Sequence, residues 1–217
     1  MVAILFLLKT FLKENTKLLD AFYVYLEGMF LMHVFFGMAL FVPSAAEIMY
    51  LFGFISAVIG SAFSTRFFLY SEFPNYEKKL FYSILALGLV MLVYPVAIGE
   101  IGTMGLTMTM LYLIAFTGMS SSMYLVYISD REVDHGSKIK GLGGGIGMFL
   151  SSGVASTVIL FGGLTAHMTL FERTFYIPQF FMVLSPIIIL ASIVCGRYAD
   201  SHALQDEMLS NVKFKKK

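Results

Sequence analysis

The sequence predicts an all-α fold, a polytopic membrane helix bundle with six transmembrane helices, and three observations carry that expectation. Hydrophobic residues make up 58% of the 217 and the mean hydropathy is +0.81, more apolar surface than a soluble core of this length needs. Six apolar runs lie at about residues 22–42, 46–65, 80–98, 103–128, 141–163 and 176–196. Each approaches the ~20 residues that cross a ~30 Å hydrocarbon core as helix, and none alternates polar with apolar as a barrel strand does. All 15 Lys and Arg fall outside the runs and alternate between connections, so that fourteen flank one membrane face and Arg173 alone the other. By the positive-inside rule both termini then face the cytoplasm or its equivalent, such as the mitochondrial matrix.

Residues 1–20 (MVAILFLLKTFLKENTKLLD) read as an amphipathic interfacial helix. Leu5, Leu8, Phe11 and Leu12 form its apolar side, and Lys9, Lys13 and Lys17 its wet side. A short apolar stretch without a small-residue cleavage site does not suit a signal peptide, and Glu14 with no Arg does not suit a mitochondrial presequence. The six-helix transmembrane domain follows over residues 21–197. Pro43, Ser44 and Ala45 break the first run from the second, SEFPNYEKK turns the chain after the second, and SDREVDHGSKIK is a hydrophilic connection on the basic face. The tail, 198–217, is polar and basic and is expected to be helical as far as Leu209. Its Lys213, Lys215, Lys216 and Lys217 suit anionic lipid headgroups.

The fifth run opens with GLGGGIGMFLSSG. Gly141 with Gly145 and Gly143 with Gly147 form overlapping small-xxx-small pairs around Gly144, which marks a helix whose backbone neighbours approach closely. No strand precedes the glycines and no Lys-Ser/Thr follows them, so a phosphate cradle is a poor reading of them. The fourth run holds AFTGMSSSMY, where Gly118 and Ser120 belong to a small, hydroxylic face. Such hydroxyls bond to carbonyls one turn back or to a neighbouring helix, and a pore lining is the alternative.

Ionisable groups in or beside the runs are few. His33 lies within the first run with Glu27 nearer its start, Glu47 opens the second, Arg66 closes it, and Glu100 follows the third. Charges in lipid are functional hypotheses by default, although long side chains near an interface snorkel at little cost.

Several functions are excluded on composition. A net charge of +1 and the lack of a basic, aromatic-interleaved stripe argue against a nucleic-acid partner. Cys195 is the single cysteine, so neither an internal disulfide nor a CxxC site can form. His33, His135, His167 and His202 are scattered, no HExxH or GxSxG occurs, and no catalytic residue, metal site or cofactor is expected; the chain does not read as an enzyme.

Lys78–Ile128, with Pro95, Glu100, Phe116, Thr117, Gly118, Ser120 and Tyr124 at corresponding places, resembles the middle of the transmembrane Bax-inhibitor-motif family, and Gly141–Phe161 resembles the Gly-rich helix that comes next there. The resemblance implies a helical bundle, and in calcium-leaking members two aspartates in the last two helices. Here the position aligned with the first is Ala191, followed by Ser192, and no seventh apolar run follows the sixth. A second segment, KGLGGGIGMFLSSGVAS, is similar to the glycine-rich fifth helix of equilibrative nucleoside transporters, which implies half of a two-part carrier. The expected function is therefore a non-enzymatic, Bax-inhibitor-like structural or accessory subunit of a larger membrane complex. Its partners would be the bilayer, anionic lipid and other membrane subunits, and its place an internal organelle membrane such as the mitochondrial inner membrane. The alternative is a calcium or other ion leak channel, or a half-size solute transporter, with Glu47, Arg66 and Glu100 converging on one wet path.

Overall fold

The structure, a computed structural model, describes residues 17–72, 75–130, 133–163, 167–170 and 173–214. Six helical stretches are long and apolar enough to cross a membrane: Tyr23–Phe41, Pro43–Arg66, Lys78–Ile98, Ile101–Asp130, His135–Gly162 and Ile177–His202. They are called the first to sixth spans below. Residues 1–16, most of the expected interfacial helix, lie outside the described residues, as do Lys215, Lys216 and Lys217.

The first span is α1, Lys17–Phe41, and it stops because Val42 precedes a proline. Proline disfavours helical geometry in the residue before it, and Val42 takes φ −127°, ψ 74°. A single 3-10 turn, Pro43–Ala45, then reverses the chain into α2, Ala46–Glu72. The third span is α3, Glu77–Ile98. Its end is closed by Gly99 at φ 73°, a left-handed conformation that glycine adopts without a Cβ clash, and the N–H of Glu100 bonds back to the Pro95 carbonyl at 3.0 Å.

The fourth and fifth spans are each interrupted near their middle by π-helical turns. The fourth runs α4 (Ile101–Tyr112), π turn Leu113–Gly118, α5 (Met119–Asp130), and the fifth runs α6 (His135–Met148), π turn Phe149–Ala155, α7 (Ser156–Gly162). At the start of the fifth, the Asp134 carboxylate accepts the Ser137 N–H at 2.8 Å and caps the helix. The two hydrogen bonds from Ser137, side chain first and then backbone, hold the Asp134 carboxyl below the usual carboxylate range.

An antiparallel hairpin not anticipated in an all-helical reading, β1 (His167–Leu170) with β2 (Arg173–Tyr176), joins the fifth span to the sixth. Thr169 opposes Thr174 and Met168 opposes Phe175, pairings of β-branched and aromatic residues that suit a short ladder. The sixth span belongs to α8, Ile177–Phe214, which runs on without a break past Leu209, where the tail helix was expected to stop.

The second span packs against the first, third and fourth, and the fifth packs against the fourth and sixth. The fifth is the most buried of the six, with 56% of its apolar window inside the bundle. Its two glycine pairs serve different neighbours, because positions two apart point to opposite sides of a helix. A Cβ on Gly143 or Gly147 would strike Ser192 or Ile189 of the sixth span, whereas on Gly141 or Gly145 it would meet Tyr124, Ile128 or Leu125 of α5. Where the fifth and sixth spans meet at the tail end of α8, Gly136 and Gly196 bring the backbones together and Lys140 Nζ pairs with Asp200 Oδ2 at 2.8 Å.

Candidate functional site

Apolar side chains alone fill most of the bundle, so its buried hydroxyls stand out. Two groups of them lie where spans cross. In the first, Tyr25 of the first span reaches Ser151 and Ser152 in the π turn of the fifth, and Ser185 of the sixth donates to Ser151 Oγ at 3.2 Å. Ser151 donates in turn to the Gly147 carbonyl at 3.1 Å. Tyr25 therefore donates to Ser151 and accepts from Ser152, so each of the four hydroxyls has a partner. All four side chains are at most 3% exposed, so an unmet hydroxyl here would be costly.

In the second group, Ser61 of the second span bonds to Thr117 in the π turn of the fourth, with Ser64 Oγ 3.2 Å from Thr117 Oγ1. Ser64 and Thr65 donate back to the Ser61 carbonyl at 2.7 and 2.9 Å. Beside this group is a cavity of about 10 Å³ walled by Ser64, Thr65, Thr117, Ser120, Ser121 and Tyr124, about the size of a single water. Thr109, two turns before Thr117 and 1% exposed, has no partner for its hydroxyl among the described residues.

Both groups adjoin a point where two backbones touch. Gly28 of the first span meets Gly60 of the second, and a Cβ on Gly28 would lie 2.8 Å from the Gly60 Cα. Gly118 of the fourth meets Gly153 of the fifth, and a Cβ on Gly118 would lie 3.0 Å from the Gly153 Cα. The numbering of these contacts repeats. Gly28 and Gly118 are 90 positions apart, Gly60 and Gly153 are 93, Ser61 and Ser152 are 91, and Tyr25 and Thr117 are 92. The contacts are alike in kind: first on second and fourth on fifth meet glycine to glycine, and second on fourth and fifth on first meet through a pair of hydroxyls. Because successive spans alternate in direction, the first and fourth run oppositely, so these like contacts are made by helix pairs of opposite sense.

The residues singled out from sequence occupy other places. Glu47 and Glu100 are exposed at one end of the bundle, Glu47 in the first turn of α2 and Glu100 before α4. Arg66 is 19 residues beyond Glu47 on the same helix, about 28 Å away at 1.5 Å per residue, with its guanidinium 5.2 Å from the centre of the Phe81 ring. The three therefore do not meet. Glu27 is exposed on the first span. His33 is exposed too, its Nδ1 bonded to the Met29 carbonyl at 2.6 Å and its Nε2 3.2 Å from Met182 Sδ of the sixth span. Gly118 forms the crossing just described, Ser120 borders the small cavity, and Gly144 is buried. Lys213 falls within α8, where its side chain lies outside the described residues. Among the described residues no group of three or more His, Cys, Asp and Glu could hold a metal ion.

Tyr25, Ser61, Gly28 and Gly60 were not singled out from sequence. No local pattern marks them, because a single Tyr, Ser or Gly in an apolar run looks the same whether or not another span meets it.

Six helices of spanning length and composition, packed around a hydroxylic seam, define a polytopic helical membrane protein. Comparison with protein-family models, with curated proteins and with solved structures returned no match to this chain.

Proposed function

We propose that this chain is a six-span half of a solute carrier, which completes its path by pairing with a second six-span unit. The observation behind this reading is that spans one and two and spans four and five, which run in opposite senses, make like contacts through the Tyr25–Ser152 and Ser61–Thr117 bonds and the two glycine crossings. Inverted repeats are a recurring architecture of secondary transporters, with sites near the midplane at the repeat interface and helices that depart from regular geometry there. The two π turns supply that departure, and π turns often occur at functional positions. The similarity of the fifth span to nucleoside-transporter helices points the same way. Both termini lie on the cytoplasmic or matrix side in this reading, from the placement of the basic residues.

A second reading, the Bax-inhibitor-like accessory subunit of a larger complex, is favoured by the separation of Glu47, Arg66 and Glu100 and by buried hydroxyls that mostly satisfy one another. One measurement separates the two. After extraction from native membrane in gentle detergent, the carrier reading expects a native mass of two six-span units and nothing larger. Comigration in fixed ratio with a large assembly, identified by mass spectrometry, overturns it in favour of the subunit. For the carrier, proteoliposome uptake of nucleosides is the next assay, and Tyr25→Phe and Thr117→Val are each expected to lower the rate because each removes a hydroxyl that joins two spans.

A further inference from the structure

A cleft of about 430 Å³ opens between the first and sixth spans, within the size range of small-molecule sites. Its walls are almost wholly apolar, with Leu26, Met29 and Phe30 on one side and Met182, Val183 and Leu190 on the other. From Tyr25 to His33 it extends eight residues along the first span, about 12 Å. Val183 and Ile187, at its edge, are 62% and 56% exposed on the outer surface of a spanning helix, so the cleft opens toward the bilayer. Pro186 lines it as well. Having no N–H, Pro186 leaves the Met182 carbonyl without its helical partner and loosens the wall at that point.

Tyr25, Ser151 and Ser185, whose hydroxyls bond to one another, and Gln179 also line the cleft, and His33 marks one end of it and is the group that selects an occupant. Its Nδ1 lies 2.6 Å from the Met29 carbonyl, which can only accept, so Nδ1 holds the proton. In the neutral ring Nε2 is then a bare acceptor, and what it faces at 3.2 Å is the Met182 thioether, itself an acceptor. The ring therefore offers a strong acceptor, directed into an apolar cleft, to a donor arriving from the bilayer.

We infer that the cleft between the first and sixth spans binds a neutral lipid carrying a free hydroxyl, which donates to His33 Nε2 while its hydrocarbon body lies between Met29, Phe30, Met182 and Val183. A phospholipid tail would fill the apolar part and leave Nε2 unmet. A charged headgroup would have to be desolvated beside it.

The test uses the full chain in phosphatidylcholine vesicles with two probes, a diazirine-bearing long-chain alcohol and its methyl ether, and maps the labelled peptides. The alcohol is expected to label peptides spanning residues 23–33 and 179–190 about tenfold more than the ether, the factor one hydrogen bond supplies. His33→Phe should bring the alcohol down to the ether's level. His33→Gln, which restores an acceptor, should recover part of the difference, and Val183→Trp should suppress both probes. Equal labelling of the native chain by alcohol and ether, or labelling confined to other spans, overturns the inference without recourse to any variant. So does undiminished alcohol labelling of His33→Phe.

Discussion

Gly28→Ala tests whether backbone contact between the first two spans holds the bundle together. A Cβ at residue 28 would lie 2.6 Å from the Ser56 carbonyl oxygen and 2.8 Å from the Gly60 Cα, whereas ordinary contact begins near 3.4 Å. The shortfall is about 0.8 Å on the oxygen side, and neither neighbour is a flexible side chain that can swing away. Relief must come from moving the helices apart, and a gap of 0.5–1 Å forfeits roughly a quarter to a half of each dispersion contact along the crossing. Overpacking of this kind costs about 1–3 kcal/mol. Against it stands the helix-propensity gain of replacing glycine by alanine, up to about 1 kcal/mol. Gly37→Ala, nine residues further along the same helix, isolates that gain, because a Cβ there meets nothing within 4 Å. The two variants should therefore differ in unfolding free energy by about 1–3 kcal/mol, Gly28→Ala being the less stable, when purified protein in mixed micelles is titrated with sodium dodecyl sulfate and followed by tyrosine fluorescence. Equal midpoints, or a more stable Gly28→Ala, would refute the argument that the Gly28–Gly60 crossing is in van der Waals contact.

Tyr25→Phe removes the hydroxyl shared by Ser151 and Ser152 and strands Ser152, so the same titration should show a loss of about 1–2 kcal/mol, near the upper end for hydrogen bonds inside membrane bundles. Thr109→Val has the opposite sign. Replacing an unpartnered buried hydroxyl with a methyl group of the same shape should raise stability by about 1 kcal/mol, and a measurable loss would mean that Thr109 has a partner in the membrane. For Asp134 the folded-state carboxyl is held below its usual range, so its contribution is present at neutral pH, persists down to the unfolded-state value and is lost as pH falls through the folded one. Since the group is exposed, the effect is that of an N-cap, about 1 kcal/mol, and Asp134→Asn should keep most of the cap while flattening this part of the acid limb of the stability profile.

Spanning segments were legible because hydropathy is summed over some twenty residues, so single exceptions such as His33 do not hide them. The tandem glycines at 141–147 were legible for a similar reason: five small residues in seven mark a stretch where neighbouring helices come close. Tyr25 was not, since one tyrosine in an apolar run looks the same whether it packs in the core or bonds to a serine 126 residues away. The lone glycines Gly28 and Gly60 acquire meaning only when set against each other. The π turns leave no trace in composition, because they widen the hydrogen-bonded ring by one residue without requiring any residue type. The hairpin after Gly163 was hidden by its length, four residues a side being too few for either period to emerge.

The last helix has a mechanical consequence. It is one helix from Ile177 to Phe214, and the fifth span packs along its intramembrane half, at Ser185, Ile189, Ser192 and Gly196, up to the point where Asp200 meets Lys140. Phe214 lies fourteen residues past that point, about 21 Å. The fifth span therefore sets the direction in which the helix leaves the bilayer, and a tilt of about 3° in the packed half moves Phe214 by about 1 Å.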